Sequence, residues 1–152
     1  MSPLHRSVLT LVFSALLSSG QDVQAQSAIE SAAAKLEVQK GIVAVLGFSE
    51  ADARNVVKLA SSDGPRIYFQ SANASAVNAV RVAAEQARLL TIRISADAGP
   101  LSSIHLSENL ADGVLVAEAA ADQVTDAEVL RVLRPLGIAF IGDRKLVKPV
   151  PK

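Results

Sequence analysis

Few residues of this 152-residue chain have the type and setting to do chemistry. Cysteine is absent, so there is no thiolate nucleophile, disulfide or thiolate metal site. His105 has no second histidine at ligand spacing, which argues against a metal or base role. Ser102, Ser103 and Ser107 lack the Gly-x-Ser-x-Gly elbow that exposes a nucleophile, so no hydrolase triad can be drawn. What remains is a set of small, polar and acidic residues at the ends of apolar runs: Gly47, Phe48 and Ser49, then Gln70, then Asp97 and Ala98, then Glu118. In an open α/β sheet, ligands bind beyond the carboxyl ends of the strands, where the winding reverses. These seven residues are therefore the candidates for a crevice whose chemistry is binding and positioning.

Such a crevice needs strands behind it. Residues 42–46 (Ile-Val-Ala-Val-Leu) form an unbroken apolar run, too short for a helix and ended by Gly47, as expected of a strand buried on both faces. Further strands are predicted over 66–70, 91–95, 113–117 and 138–141. Between them, helical spacing of apolar residues predicts a leading helix over 27–39 with Gly41 as its stop, a helix after the Ser49 cap, one over 74–88, and one opened by Thr125 and ended by 134–137. Strict alternation of strand and helix implies parallel strands and right-handed crossovers. The expected fold is α/β, a doubly wound, mostly parallel, Rossmann-like sheet of about five strands that stops early at its C-terminal side. Residues 26–143 form the domain, and residues 144–152, which mix Lys and Pro with apolar residues, are read as an extended tail or linker.

Composition sets outer limits. Half the residues are hydrophobic but only 3% are aromatic, which suits Val-rich inner strands under Ala- and Leu-rich helices. Fifteen basic residues balance fifteen acidic ones, so no long-range field gathers phosphate backbones, and a nucleic-acid partner is not expected. At the start, Arg6 precedes a run of about ten mostly apolar residues, which as a helix would rise only about 15 Å and could not cross a bilayer core. With Val23-Gln24-Ala25 after it, residues 1–25 read as a cleavable signal peptide cut near Ala25, giving a periplasmic or secreted product with no stable membrane span.

Two stretches carry a family resemblance. Val43-Ala44-Val45-Leu46-Gly47 resembles the first motif of class I S-adenosylmethionine-dependent methyltransferases, and Glu128-Val129-Leu130-Arg131-Val132-Leu133-Arg134-Pro135-Leu136-Gly137 resembles the helix and turn before their fifth strand. The resemblance spans about residues 40–142. It implies S-adenosylmethionine as cofactor and a small-molecule crevice formed by Gly47, Phe48, Ser49, Gln70, Asp97, Ala98 and Glu118. Asp97 would take the place of the adenine-contacting acid, and Asp112 that of the acid leading into strand four. The chain departs from the pattern where the family's glycine loop reads Gly47-Phe48-Ser49-Glu50-Ala51, where Val45 replaces an acid, and where Gln70 replaces the carboxylate that accepts both ribose hydroxyls. The stretch from Gly41 into 143–151 is also similar to the front region of exported bacterial proteins that continue into a quinoprotein-like β-propeller. That implies a degenerate cofactor site, or a non-catalytic envelope scaffold with a protein partner such as a propeller domain.

Overall fold

Apolar runs of four to six residues bounded by turn formers favour extended backbone buried on both faces, and here they build the centre of a six-stranded sheet. The computed structural model describes residues 27–60 and 63–152; the expected signal segment, 1–25, lies outside the described residues. In chain order the elements are α1 (Ala28–Leu36), β1 (Ile42–Leu46), α2 (Ala53–Leu59), β2 (Arg66–Ser71), α3 (Ala74–Gln86), β3 (Ile94–Ala98), β4 (Ala111–Val116), α4 (Asp126–Val132), β5 (Leu133–Ile141) and β6 (Arg144–Val147). Short 3-10 turns, Glu50–Asp52 and Glu118–Gln123, precede α2 and α4.

The strand order is β3-β2-β1-β4-β5-β6, with β1 to β5 parallel and β6 antiparallel. Winding reverses between β1 and β4, the place where an open α/β sheet leaves a crevice. On one face Val43, Val45, Ile67, Phe69, Leu115 and Phe140 meet α1, α2 and α3. On the other, Ala44, Leu46, Tyr68, Val114, Val116 and Ile141 meet α4, Ala120 and Val124, together with Leu101 and Ile104 from the β3–β4 connection. That crossover, residues 99–110, has no helix, so an irregular strap covers this face.

Several boundaries differ from expectation for identifiable reasons. Helix α1 ends at Leu36 because Glu37 takes the left-handed conformation (φ 53°) and closes it, not Gly41. Gly41 (φ 96°) serves instead for close approach, since a Cβ there would collide with the Asp112 carboxylate. The third strand covers Ile94–Ala98 rather than 91–95, because Thr91 (φ 65°) sits in a turn in which the Arg93 N–H donates to the Leu89 carbonyl. The fourth strand begins two residues early, at Ala111. Residues 134–137 belong to β5 and not to a helix end: Leu136 (φ 66°) and Gly137 both face Lys148 in a bulge. The tail is likewise corrected. Gly142 (φ 57°) and Asp143 form a two-residue hairpin turn, and Arg144–Val147 pairs with β5 as a sixth strand.

Asp112 ties the start of the sheet together. Its Oδ2 accepts from the Ile42 N–H at 2.8 Å, and Oδ1 lies 2.6 Å from Arg134, with the side chain only 11% exposed. Replacing it leaves the first N–H of β1 without a partner. Asp112→Ala is expected to lower unfolding free energy by about 2 kcal/mol, and Asp112→Asn, which keeps an acceptor, by less; urea denaturation measures both, and equal midpoints for wild type and Asp112→Ala would refute the tie.

Candidate functional site

The register of the parallel strands sets Leu46, Gln70 and Asp97 side by side near the carboxyl ends of β1, β2 and β3. Gln70 faces the strap and is fully buried. Its Nε2 donates to the carbonyls of Pro100 (2.9 Å) and Ser103 (3.0 Å), and its Oε1 accepts from the His105 N–H (2.9 Å) and the Tyr68 hydroxyl (2.9 Å). A primary amide has two N–H donors and one accepting oxygen, so both donors of Gln70 are taken by the chain itself and its oxygen accepts from His105 while sharing the single Tyr68 hydroxyl hydrogen with Asp97. Gly99 lets the strap pass: a Cβ there would stand 2.6 Å from the His105 ring and 3.3 Å from Gln70 Nε2.

The far side of the strap is held by α4. Glu128 Oε1 accepts from the Ile104 N–H at 2.7 Å, while Arg131 donates to the Ile104 and Leu106 carbonyls, each at 2.8 Å. Glu128 and Arg131 also pair with each other at 2.7 Å. The Arg131 guanidinium holds the Glu128 carboxyl below its ordinary range; the Ile104 N–H adds to this and partial burial opposes it. Arg131 is raised in turn, first by its bond to Glu128. Leu101 and Ile104 are sealed beneath the strap at 2% exposure each.

Asp97 is half exposed. Its Oδ2 lies 3.2 Å from the Tyr68 hydroxyl, whose one hydrogen it shares with Gln70 Oε1, and its Oδ1 lies 3.8 Å from Arg81, which caps the edge carbonyl of Ala96. Burial, and then the Asp97 charge, push the Tyr68 hydroxyl far above its ordinary titration range, so it acts as a fixed donor. Gly47 (φ 72°) is covered from above: a Cβ there would collide with the Ala120 methyl and come within 2.9 Å of Leu101.

The remaining candidates fall elsewhere. Phe48 is buried in the core of the opposite face. Ser49 turns to Asp52, donating through both N–H (3.0 Å) and Oγ (2.8 Å). Ala98 ends β3 and is exposed, and Glu118 packs against Gly142. Phe48 and Glu118 share a cavity of about 220 Å³ with Ser31, Lys35 and Asp143. There the Lys35 ammonium lies 3.8 Å from Asp143 and 5.8 Å from the centre of the Phe140 ring. Of the seven candidates, Gly47, Gln70 and Asp97 thus lie at the strap side of the crevice and Phe48 and Glu118 at the open cavity, while Ser49 and Ala98 belong to neither. Sequence reasoning missed Tyr68, Leu101, Ala120, Glu128 and Arg131 as parts of this end; only the i,i+3 spacing of Glu128 and Arg131 could have signalled a pair. Asp112 lies at the other end of the sheet, where β1 begins. Among the described residues no group of three or more His, Asp or Glu could hold a metal ion, and no helix is long and apolar enough to cross a membrane.

No protein-family model matches the chain, and no curated protein matches it. Solved structures do. A SAM-dependent methyltransferase from Aquifex aeolicus matches with a TM-score of 0.58 at 14% identity, over 73% of this chain and 61% of its own. A putative S-adenosyl-L-methionine-dependent methyltransferase from Methanococcus maripaludis gives 0.60 at 17%, over 73% and 51%. Geranyl diphosphate C-methyltransferase from Streptomyces coelicolor A3(2), solved with Mg2+, geranyl diphosphate and S-adenosyl-L-homocysteine, gives 0.63 at 13%, over 73% and 42%. The chain thus has the Rossmann-like fold of S-adenosylmethionine-dependent methyltransferases, and it spans about half the length of these structures.

The clamp on the strap has a pH signature. A carboxyl held below its ordinary value of 4.5 contributes stability that is present above that pH and lost as pH falls through the lowered value. The hydrogen-exchange protection factor of the Ile104 N–H is expected to fall on acidification below about pH 4.5, and Glu128→Gln to lower it at neutral pH and flatten the profile. A wild-type profile that is flat in this range would rule the clamp out.

Proposed function

We propose that this chain is a methyltransferase-like domain with a degenerate cofactor site, acting as a non-catalytic binding or scaffolding module of an exported protein. The observation that carries this reading is the Gln70 amide, buried, with both N–H donors and its oxygen bonded to its own chain. The resemblance assigns that position to the acceptor of both ribose hydroxyls, and as folded both Gln70 N–H groups are taken and its oxygen already accepts from the His105 N–H. A ribose bound there would have to break those bonds, and each buried group left without a partner costs about 1–3 kcal/mol. Ala120 and Leu101 over Gly47 further support the reading, because the backbone a cofactor would approach is covered. The expected signal peptide agrees with it, since S-adenosylmethionine is made in the cytoplasm and a module beyond the membrane would lack its methyl donor. The similarity to the front region of β-propeller proteins favours a protein partner.

Calorimetric titration of the purified chain with S-adenosylmethionine and S-adenosylhomocysteine tests this directly, with no heat expected at millimolar ligand. Binding tighter than about 100 μM, about −5.5 kcal/mol, would overturn the proposal and restore an active methyltransferase as the reading. The variant carrying Ser49→Gly, Ala51→Gly and Gln70→Glu is also expected not to bind. It is expected to be less stable than wild type, because a carboxylate at position 70 would face the carbonyls of Pro100 and Ser103 with no hydrogen to give them.

A further inference from the structure

The opposite end of the sheet, where β1, β2 and β3 begin, holds a second feature. An open cavity of about 590 Å³ is lined by Lys40, Gly41, Ile42, Asp63, Arg66 and Arg93. A smaller one of about 180 Å³ shares Ile42, Arg66 and Arg93 and continues over Tyr68, Ile92 and Leu106. Backbone pairing brings these three basic residues to the lining of one cavity. Arg66 sits opposite Ile42 and its N–H donates to the Gly41 carbonyl at 2.8 Å, which places it beside Lys40; the next N–H along, that of Ile67, donates to the Arg93 carbonyl at 2.8 Å. Like charges on neighbouring strands repel, and among the described residues Asp63 is the one carboxylate in the lining of either cavity. Neither Lys40 nor Arg66 forms a salt bridge with a described residue. Beside this charge Ile92 is 66% exposed, an aliphatic side chain left at the mouth of the smaller cavity.

We propose that this end of the sheet binds a small anionic amphiphile. Its phosphate or carboxylate head sits between Lys40 and Arg66, where a guanidinium fork meets paired oxygens, and its apolar tail lies along Ile42, Ile92 and Leu106. The head of this site lies at the opposite end of the sheet from the crevice, and only the tail groove shares residues with it, Tyr68 and Leu106.

Titration of the full chain with octyl phosphate below its micelle concentration, followed by calorimetry or amide chemical shifts, is expected to saturate and to be tighter than with inorganic phosphate or octyl glucoside. Arg66→Gln is expected to weaken octyl phosphate roughly tenfold. Ile92→Ser is expected to weaken octyl phosphate while leaving inorganic phosphate unchanged. Both side chains are exposed, and circular dichroism checks that the variants fold. The proposal fails if octyl phosphate does not saturate, if it binds no better than octyl glucoside, or if Arg66→Gln binds as wild type does. Binding to phosphatidylglycerol vesicles without binding of the monomer would also overturn it, in favour of a lipid surface.

Discussion

A buried amide must satisfy its hydrogen-bonding capacity inside the protein, because water cannot reach it. Gln70 does so by holding three backbone groups of one loop and one tyrosine hydroxyl. Through these bonds a connection without a helix becomes the cover of half a sheet face, for the same loop buries Leu101 and Ile104 against Ala44, Leu46, Val114 and Val116. Glu128 and Arg131 hold its other margin by the same device, side chains bonding to backbone, so the strap is bound much as an extended peptide would be. Remove the amide and the strap loses its register over β2; with it goes the apolar cover of the winding reversal.

The centre of the fold was legible because its signals are local. The run over 42–46 and the Thr125 cap each state their own structure, and a mostly parallel α/β sheet follows from the order of strands and helices. What was not legible depends on partners distant in the chain. Arg144–Val147 reads as a linker by composition, and becomes a strand only because β5 offers it an edge. Gln70 announces a polar strand end, but its partners at 100, 103 and 105 are about thirty residues away, and nothing in the residue types of the strap says that it folds back. Ser49 shows the converse, a local motif read as one candidate among seven whose hydroxyl is occupied by its own turn.

Charge offers a similar lesson at another scale. Equal numbers of acids and bases cancel the far field but say nothing of density within a few ångströms. Parallel strands place residues of equal register in rows, so Arg66 and the residue that bonds to its neighbour stand together however neutral the chain is. Arg131, Arg134 and Arg144 each meet a carboxylate within 2.7 Å, whereas Arg66, at the start of β2, forms no salt bridge with a described residue.

A shared fold and an altered crevice are compatible because they rest on different atoms. The fold needs apolar strands and something apolar over each face; the strap supplies that cover with no helix and no ligand. Burying Leu101 and Ile104 stabilises the domain by about 1.5–3 kcal/mol apiece, and opening the crevice forfeits that burial along with the hydrogen bonds of Gln70. A ligand can shift such an equilibrium only by its differential affinity for the open state, so the affinity seen for the folded chain is lowered by the whole cost of opening. The better the strap stabilises this domain, the more a cofactor bound at the same place would have to displace.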